Sequence, residues 1–298
     1  MSVAVGVLRR RRRRAILGGW LGYGLLGVSV LPILVGYAWL GIASFSRRTQ
    51  GLIPTTIDGR AGGWTLDNWS FLFDGSVYRA TVNSLLMALG MVVGVGFVST
   101  LGGYAISRIR FPGRKGVLSM TLLLNAFRAD MLLIAIFFVL RELGTIPGLG
   151  RFIGFDTVGG VALVMVSLEL PLGLWLMKGF FDSVSWDMER AALIDGASRF
   201  RAWWEIVLPQ VTPGLAALSV FTFISGWNAY LIPFTYTVGT GVSNLPVYLN
   251  ELIGETAPTN WNQVAAVGLF QLLPILAFYL VMQEKLLNIY SGGTKGGT

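Results

Sequence analysis

The sequence Glu189-Arg190-Ala191-Ala192-Leu193-Ile194-Asp195-Gly196, followed after nine further residues by Ile206-Val207-Leu208-Pro209, separates two long apolar runs. It belongs to a polar segment, residues 182–209, that carries both acidic and basic side chains. Charged segments are costly to place in hydrocarbon, whereas the flanking runs are long enough to cross it. The pattern therefore predicts membrane-spanning helices that are joined by a water-exposed loop.

The composition places most of the chain in lipid. Of its 298 residues, 54% are hydrophobic and only 13% are charged, whereas a soluble domain is about a quarter charged. Backbone groups in lipid must be satisfied within their own segment, which favours helices. We therefore predict an all-α membrane protein.

The chain contains no histidine and no cysteine. Disulfides, zinc sites of the usual ligands and haem attachment motifs cannot be built without them. The commonest general base and the thiol nucleophile are also missing, which argues against most membrane-embedded hydrolases. The net charge of +8 is explained by membrane orientation, so we predict no nucleic-acid partner.

Six apolar runs have the length that a transmembrane helix requires, about 20 residues. They cover residues 15–43, 81–106, 117–140, 159–181, 211–236 and 264–287. The first follows six arginines, Arg9–Arg14, but is too long for the apolar region of a signal peptide, so we predict a retained helix. The arginines are expected to stay in the cytoplasm, near anionic lipid.

Charge in the connecting loops predicts the orientation. The loop between the second and third runs holds four basic residues and no acid, and that between the fifth and sixth holds acids and no base. Basic loops stay in the cytoplasm, so residues 1–14, 182–209 and 288–298 are predicted to be cytoplasmic. Residues 44–80 are predicted to form an extracytoplasmic loop with a small ordered cap, and residues 239–262 an outer recognition loop.

The charged segment also carries local signals for a helix. Ser185 is a suitable N-cap for a short amphipathic helix over Trp186–Ile194, and Gly196 permits a sharp turn after it. The small side chains of Ala191 and Ala192 are expected to leave a surface onto which a partner docks closely.

In residues and spacing, this segment resembles the EAA loop of ATP-binding-cassette (ABC) importer permeases, E-A-A-x3-G-x9-I-x-L-P. The matching residues are Ala191, Ala192, Asp195, Gly196, Ile206, Leu208 and Pro209. The resemblance implies a cytoplasmic coupling helix through which separate ATPase subunits move the membrane helices. It also implies a chain without catalytic residues, cofactor or metal, since ATP and Mg²⁺ are bound by the partner ATPase. The sequence has no phosphate-binding loop of the Walker type.

One position departs from the family pattern. Arg190 occupies the place of the glutamate of the E-A-A triplet, and Glu189 stands one residue earlier. In the family, that glutamate helps to fasten the loop to the ATPase. Either Glu189 takes over this contact, or the ATPase presents an acid to Arg190.

Further motifs extend the resemblance to residues 80–298. They are Phe111-Pro112-Gly113-Arg114-Lys115, Gly179-Phe180-Phe181, Gly226-Trp227-Asn228, Tyr230-Leu231 and the glycine-rich tail after Asn288. They resemble the MalG-type carbohydrate permeases, which implies a MetI-like core within residues 81–287. The implied partners are a MalF-type permease, two copies of an ABC ATPase, an extracytoplasmic substrate-binding protein and membrane lipid. The implied substrate is an oligosaccharide such as maltose or trehalose.

Several polar and aromatic side chains lie inside the predicted spans. At ~1.5 Å per residue, Arg128 and Glu169 reach similar depths, about 15 Å from the membrane boundary, on neighbouring helices. A charge at that depth is paired or wetted, so Arg128 is expected to pair with Glu169 or Asp130, or to face the translocation path. Both interpretations stay open. A second group either lines the sugar path or packs between helices: Trp227, Asn228 and Tyr230.

Two rivals remain at this point. An importer of glycerol 3-phosphate would make chemical use of a cationic Arg128. A membrane-embedded lipid-modifying enzyme would need an exposed acidic pair at the membrane surface, for which Asp187 and Glu189 are the clustered candidates.

Overall fold

A computed structural model describes residues 2–127, 129–237, 242–254 and 259–291, with side chains from residue 23 to residue 286 of these ranges. The chain is helical almost throughout. Its helices are α1 (Ser2–Ser44), α2 (Gly75–Arg108), α3 (Arg114–Asn125), α4 (Leu133–Gly144), α5 (Gly150–Ile153), α6 (Val158–Ser183), α7 (Trp186–Ile194), α8 (Arg199–Ala202), α9 (Leu208–Gln210), α10 (Thr212–Trp227), α11 (Leu231–Thr237), α12 (Leu245–Glu251) and α13 (Trp261–Ser291).

The chain divides into two compact units. The first comprises residues 1–71 and 258–270, and the second comprises residues 72–257 and 271–298. The charged segment and most of the predicted spans lie in the second unit, which therefore contains the candidate functional site.

The first unit contains the small cap that the aromatic residues of its loop predict. Strands β1 (Arg48–Gln50) and β2 (Ile53–Thr55) form an antiparallel hairpin. The side-chain amide of Asn262 donates to the carbonyl oxygens of Ala43 and Ser46 at 2.8 and 2.9 Å and to Thr49 Oγ1 at 2.8 Å. These bonds occupy backbone acceptors at the end of α1 that would otherwise need water.

The second unit is built on close packing between α2, α6 and α10. One buried cluster includes Met87, Met91 and Met165, and a second includes Val95, Met177 and Phe181. A Cβ atom at Gly94 of α2 would lie 2.8 and 3.2 Å from the Cγ atoms of Val166 on α6. The absence of a side chain there lets the helices approach closely, as small residues at helix contacts in membranes commonly do.

Four of the helices are long and apolar enough to cross a bilayer without interruption. These stretches are Tyr23–Ser44, Gly75–Arg108, Val158–Ser183 and Trp261–Leu286. The predicted first, second, fourth and sixth spans are thus continuous helices. Helix α1 begins before its apolar part, since it runs from Ser2 and includes the arginine run.

The third and fifth spans are not the single straight helices that the length of their apolar runs predicts. The third is broken between α3 and a 3-10 turn at Ala129–Leu132, which leads into α4. The fifth is divided into α10 and α11, and the chain bends by 71° between residues 199–210 and α10. Four helices, or six if each bent pair counts as one span, are thus long and apolar enough to cross a bilayer.

The predicted outer loop 239–262 contains an ordered segment. Residues 238–241 and 255–258 lie outside the described residues, but α12 lies between them. Asn244 caps α12 by accepting from the Val247 amide at 3.2 Å. The Leu245 amide donates to Ser84 Oγ of α2 at 2.8 Å, and Asn83 donates to the Ser243 carbonyl at 2.9 Å. This part of the loop is therefore fixed to α2.

The helix contact at Gly94 leads to a matched pair of variants. We expect Gly94→Ala to lower the thermal stability, because its Cβ would press on Val166, and overpacking costs about 1–3 kcal/mol. Gly90→Ala is the control, because its Cβ would lie 3.5 Å from Ala162 Cβ, an ordinary contact. Melting temperatures in detergent check this, and equal stability of both variants would contradict the close packing at Gly94.

Candidate coupling site

Helix α7 occupies the residues that the capping signals predict. Ser185 Oγ accepts from the Asp187 amide at 3.2 Å, which makes Ser185 the N-cap of Trp186–Ile194. Asp187 and Glu189 lie in the first turn, where negative charge is favourable to the helix dipole. The predicted start and end of this helix are therefore confirmed.

The end of α7 is a tight turn at glycine. Gly196 has a φ of +88°, its amide donates to the Leu193 carbonyl at 3.2 Å, and the Ala197 amide donates to the Ala192 carbonyl at 3.0 Å. This pair of bonds is a Schellman motif, which favours glycine at the left-handed position. Ser198 then caps α8 by accepting from the Arg201 amide at 3.2 Å, so the chain reverses within a few residues.

An ion pair holds α7 against the last turn of α2. Arg108 Nε lies 3.0 Å from Glu189 Oε2, and both side chains are more than nine-tenths buried. Tyr104, one turn earlier on α2, donates its hydroxyl to Glu189 Oε1 at 2.6 Å. We call Tyr104, Arg108 and Glu189 the anchor. Because the contact is buried, solvent screens it little.

Arg108 also binds the residues that lead into α7. Its Nη2 donates to the Val184 carbonyl at 2.8 Å, just before the N-cap. Its guanidinium lies over the ring of Trp186, 4.6 Å from the ring centroid, a favourable cation–π position. The Nε contact with Glu189 is an ion pair whose orientation is poor for a hydrogen bond. One arginine thus fixes both the start and the first turn of α7.

The burial of Glu189 favours the second of the two explanations for the reversed charge at Arg190, an acid on the ATPase. Glu189 is 6% exposed and bound within its own chain, so it does not offer a surface carboxylate to a partner. Its position three residues before Ala192 places both residues on the inward face of α7. Arg190, by contrast, has a side chain that is 67% exposed, lies 3.8 Å from Asp187 and has its guanidinium 5.8 Å from the centroid of the Trp186 ring.

The opposite side of α7 is uncovered in this chain. We call Asp187, Met188, Ala191 and Ile194 the outer face of the helix. All four are exposed, and Ile194 is 85% exposed although it is strongly apolar. Of the two alanines expected to form a docking surface, only Ala191 is exposed. Ala192 is buried, so its small side chain serves close packing within the chain.

The second half of the motif contributes mainly to packing. Leu208 packs on the buried cluster that contains Phe181 and Val207, Ile206 is half-buried, and Pro209 is exposed near the start of α9. Asp195 is exposed at the C-cap of α7. The first half of the motif therefore lies on a helix with an exposed face, and the second half packs against the core in the segment that leads to α10.

The structure describes two of the three predicted intramembrane charges. Arg128 lies outside the described residues, so its pairing stays a prediction. Asp130 lies in the 3-10 turn that precedes α4. Glu169 is half-buried on α6 and makes no hydrogen bond or ion pair with any residue that the structure describes.

Three residues near the end of α10 have different environments. Trp227 is fully buried, and its Nε1 donates to the Gln271 carbonyl at 2.9 Å, so it packs between helices and is not accessible to a solute. Asn228 is exposed and accepts from Gln271 Nε2 at 3.1 Å. Tyr230 is half-buried and stacks on Phe234 with ring centroids 5.1 Å apart.

Sequence analysis missed the roles of Tyr104 and Arg108. Arg108 was considered only as one of the four basic residues between the second and third apolar runs, whose charge predicts the orientation. A signal was present, because Tyr104 and Arg108 are four residues apart and share a face at the polar end of an apolar helix. Among the described residues, no group of three or more potential metal-binding side chains is close enough to hold a metal ion.

The anchor gives a prediction with an internal control. We expect Glu189→Ala to lower the free energy of unfolding by about 3–5 kcal/mol, because it leaves Arg108 buried without its counter-charge. Glu205→Ala removes a partner from the exposed Arg201–Glu205 pair in the same segment and should cost less than about 1 kcal/mol. Thermal unfolding and limited proteolysis of residues 182–209 measure both. Equal effects would show that the anchor does not stabilise the segment.

Comparison with known proteins assigns the chain to a family. Residues 80–286 match the family described as the binding-protein-dependent transport system inner membrane component. The trehalose transport system permease SugB of Mycobacterium tuberculosis is 29% identical, over 95% of this chain and 99% of that protein. The maltodextrin transport system permease MdxG of Bacillus subtilis is 30% identical, over 92% of this chain and 94% of that protein.

The fold agrees with this match. A crystal structure of a bacterial ABC transporter involved in the import of the acidic polysaccharide alginate contains a chain with a TM-score of 0.73. That chain is 23% identical, and the alignment covers 90% of this chain and 96% of the other. This protein is a multi-pass membrane permease subunit of the MalG type and belongs to the family of binding-protein-dependent transport system inner membrane components.

Proposed function

We propose that this chain is one of two permease subunits of an ATP-driven importer of oligosaccharides, and that α7 receives force from a separate ATPase. The observation that carries the proposal is the asymmetry of α7. Its inner side is fixed to α2 by a buried ion pair, whereas its outer face presents Ile194 uncovered. Met188, Ala191 and Ile194 are spaced three residues apart on one side of α7 and are exposed together outside a membrane-spanning segment. An apolar patch of this kind is suited to a partner protein.

The anchor is the part of the structure that would transfer movement from the ATPase to the membrane helices. Closure of an ATPase dimer would displace α7, and the anchor would carry that displacement to α2. Because α2 packs closely on α6 and α10, the helices would rock together, as alternating access requires. ATP and Mg²⁺ would be bound by the ATPase, and this chain would supply no catalytic group.

The orientation belongs to the same proposal. The basic loop after α2 supports a cytoplasmic position for α7 and for both termini, in the cytoplasmic membrane of a bacterium. Residues 239–262 would then lie outside, where α12 is a candidate contact for an extracytoplasmic binding protein. A MalF-type subunit would complete the permease pair.

The relatives support an oligosaccharide substrate, since their names specify trehalose and maltodextrin. Half-buried Glu169, within α6, is our candidate for hydrogen bonding to sugar hydroxyl groups along the path. A glycerol 3-phosphate importer is the alternative that a cationic Arg128 would favour. Binding of neutral oligosaccharides and of glycerol 3-phosphate to the cognate binding protein distinguishes them, and affinity for the phosphate alone would overturn the sugar assignment.

The remaining rival, a lipid-modifying enzyme, needs two accessible acids. Asp187 is exposed, but Glu189 is buried and ion-paired with Arg108. The acidic pair required for that chemistry is therefore not presented at the surface.

The outer face gives the first test of coupling. We expect Ile194→Asp to abolish co-purification of the ATPase while membrane insertion is retained, because a charge replaces the most exposed apolar side chain of α7. Arg110→Asp, an exposed change in the neighbouring loop, is the control. Pull-down from solubilised membranes reports association, and protease protection reports insertion. Retained association in Ile194→Asp would exclude this face as the docking surface.

Arg190 gives a second test, which concerns the charge of the partner. If the ATPase presents an acid to Arg190, Arg190→Glu should weaken association by at least tenfold and Arg190→Lys should retain most of it, since only the former reverses the charge. Titration of the purified ATPase onto the permease pair measures both. Tighter binding by Arg190→Glu would mean that the ATPase carries a basic residue there.

A further inference from the structure

A cavity lies between α7, α8 and the last turns of α2, beside the anchor. It has a volume of 460 Å³, and its lining includes Tyr104, Arg108, Trp186, Arg199, Phe200 and Trp203. Cavities of this size accommodate small ligands. Nothing in the coupling role of α7 requires a cavity at this place.

Two buried donors in the lining have no acceptor among the residues that the structure describes. Arg108 Nη1 has none, although its Nη2 donates to Val184. Trp203 Nε1 also has none, and Trp203 is only 7% exposed. Buried donors are rarely left without a partner. Two of them in one cavity indicate a ligand that is rich in acceptor oxygens.

The charge of the lining points to an anion. Arg190 and Arg199 both line the cavity, and the side chain of Arg199 makes no hydrogen bond or ion pair with any residue that the structure describes. Glu189 also lines the cavity and has an oxygen without a hydrogen bond, but Arg108 lies 3.0 Å from it and balances its charge. The lining therefore carries two positive charges in excess.

We propose that this cavity binds the phosphate headgroup of an anionic phospholipid. The cavity lies at the polar end of the membrane-spanning helix α2, and Leu101 and Ile109 add apolar surface next to its arginines. Basic pockets between membrane helices at the cytoplasmic surface are suited to such headgroups, and aromatic side chains are favoured at the same depth. The lipid would brace α7 against α2 beside the anchor.

Retention of phosphatidylglycerol tests the proposal without reference to transport. The full chain, together with the proteins that co-purify with it, is placed in phosphatidylcholine nanodiscs containing increasing phosphatidylglycerol, and retained lipid is counted by native mass spectrometry. We expect one strongly retained phosphatidylglycerol per chain. Arg199→Gln should weaken its retention about fivefold, the effect of one arginine near a lipid surface.

Two variants keep the result interpretable. Arg110→Gln removes an arginine that is exposed and does not line the cavity, so it should leave retention unchanged. Trp203→Phe keeps an aromatic ring but removes the unpartnered N–H, so it should weaken retention even if Arg199→Gln folds poorly. If Arg199→Gln and Arg110→Gln lose phosphatidylglycerol equally, the lipid is held by the overall positive charge. That result would overturn the proposed site.

A soluble phosphate is the competing source of the same chemistry. In pure phosphatidylcholine discs, binding of inorganic phosphate or glycerol 3-phosphate is measured for the wild type and Arg199→Gln. Soluble phosphate that binds through Arg199, with phosphatidylglycerol retention independent of Arg199, would overturn the lipid assignment. Failure of the ATPase to bind the outer face would leave the lipid result intact, because lipid retention does not depend on coupling.

Discussion

The structure depends on one buried ion pair, Arg108–Glu189, at the point where the membrane bundle meets its polar loop. Removing two charges from water is costly, and the cost is offset only when each charge has several partners. Here Arg108 contacts Glu189, the Val184 carbonyl and the Trp186 ring, while Glu189 also accepts from Tyr104. Each of these contacts restricts α7 in a different direction, so the helix has a defined position relative to α2.

The features predicted from sequence are those set by neighbouring residues. Ser185, the acidic first turn and Gly196 are local signals, and they gave the bounds of α7 as the structure has them. Apolar run length likewise located the four long continuous helices, but it did not distinguish them from the two broken spans. Local chemistry and length are sufficient for such elements, since neither depends on a distant part of the chain.

Other features depend on residues that are far apart in sequence. Tyr104 and Glu189 are 85 residues apart, and nothing in either segment names the other as its partner. The breaks in the third and fifth spans were missed because the polar residues at Asn125–Asp130 and at Asn228 are few, and the apolar stretches on either side of them together have the length of one span. Trp227 illustrates the same limit, because only its burial distinguishes packing from a path-lining role.

The attachment of α12 to α2 has a mechanical consequence. Ser84 holds the Leu245 amide near one end of α2, and Tyr104 holds Glu189 near the other. The two attachments are about 30 Å apart along an uninterrupted helix, at ~1.5 Å per residue. A continuous helix of that length is stiff along its axis. A displacement of the residues attached at one end would therefore move the residues attached at the other end by a similar distance.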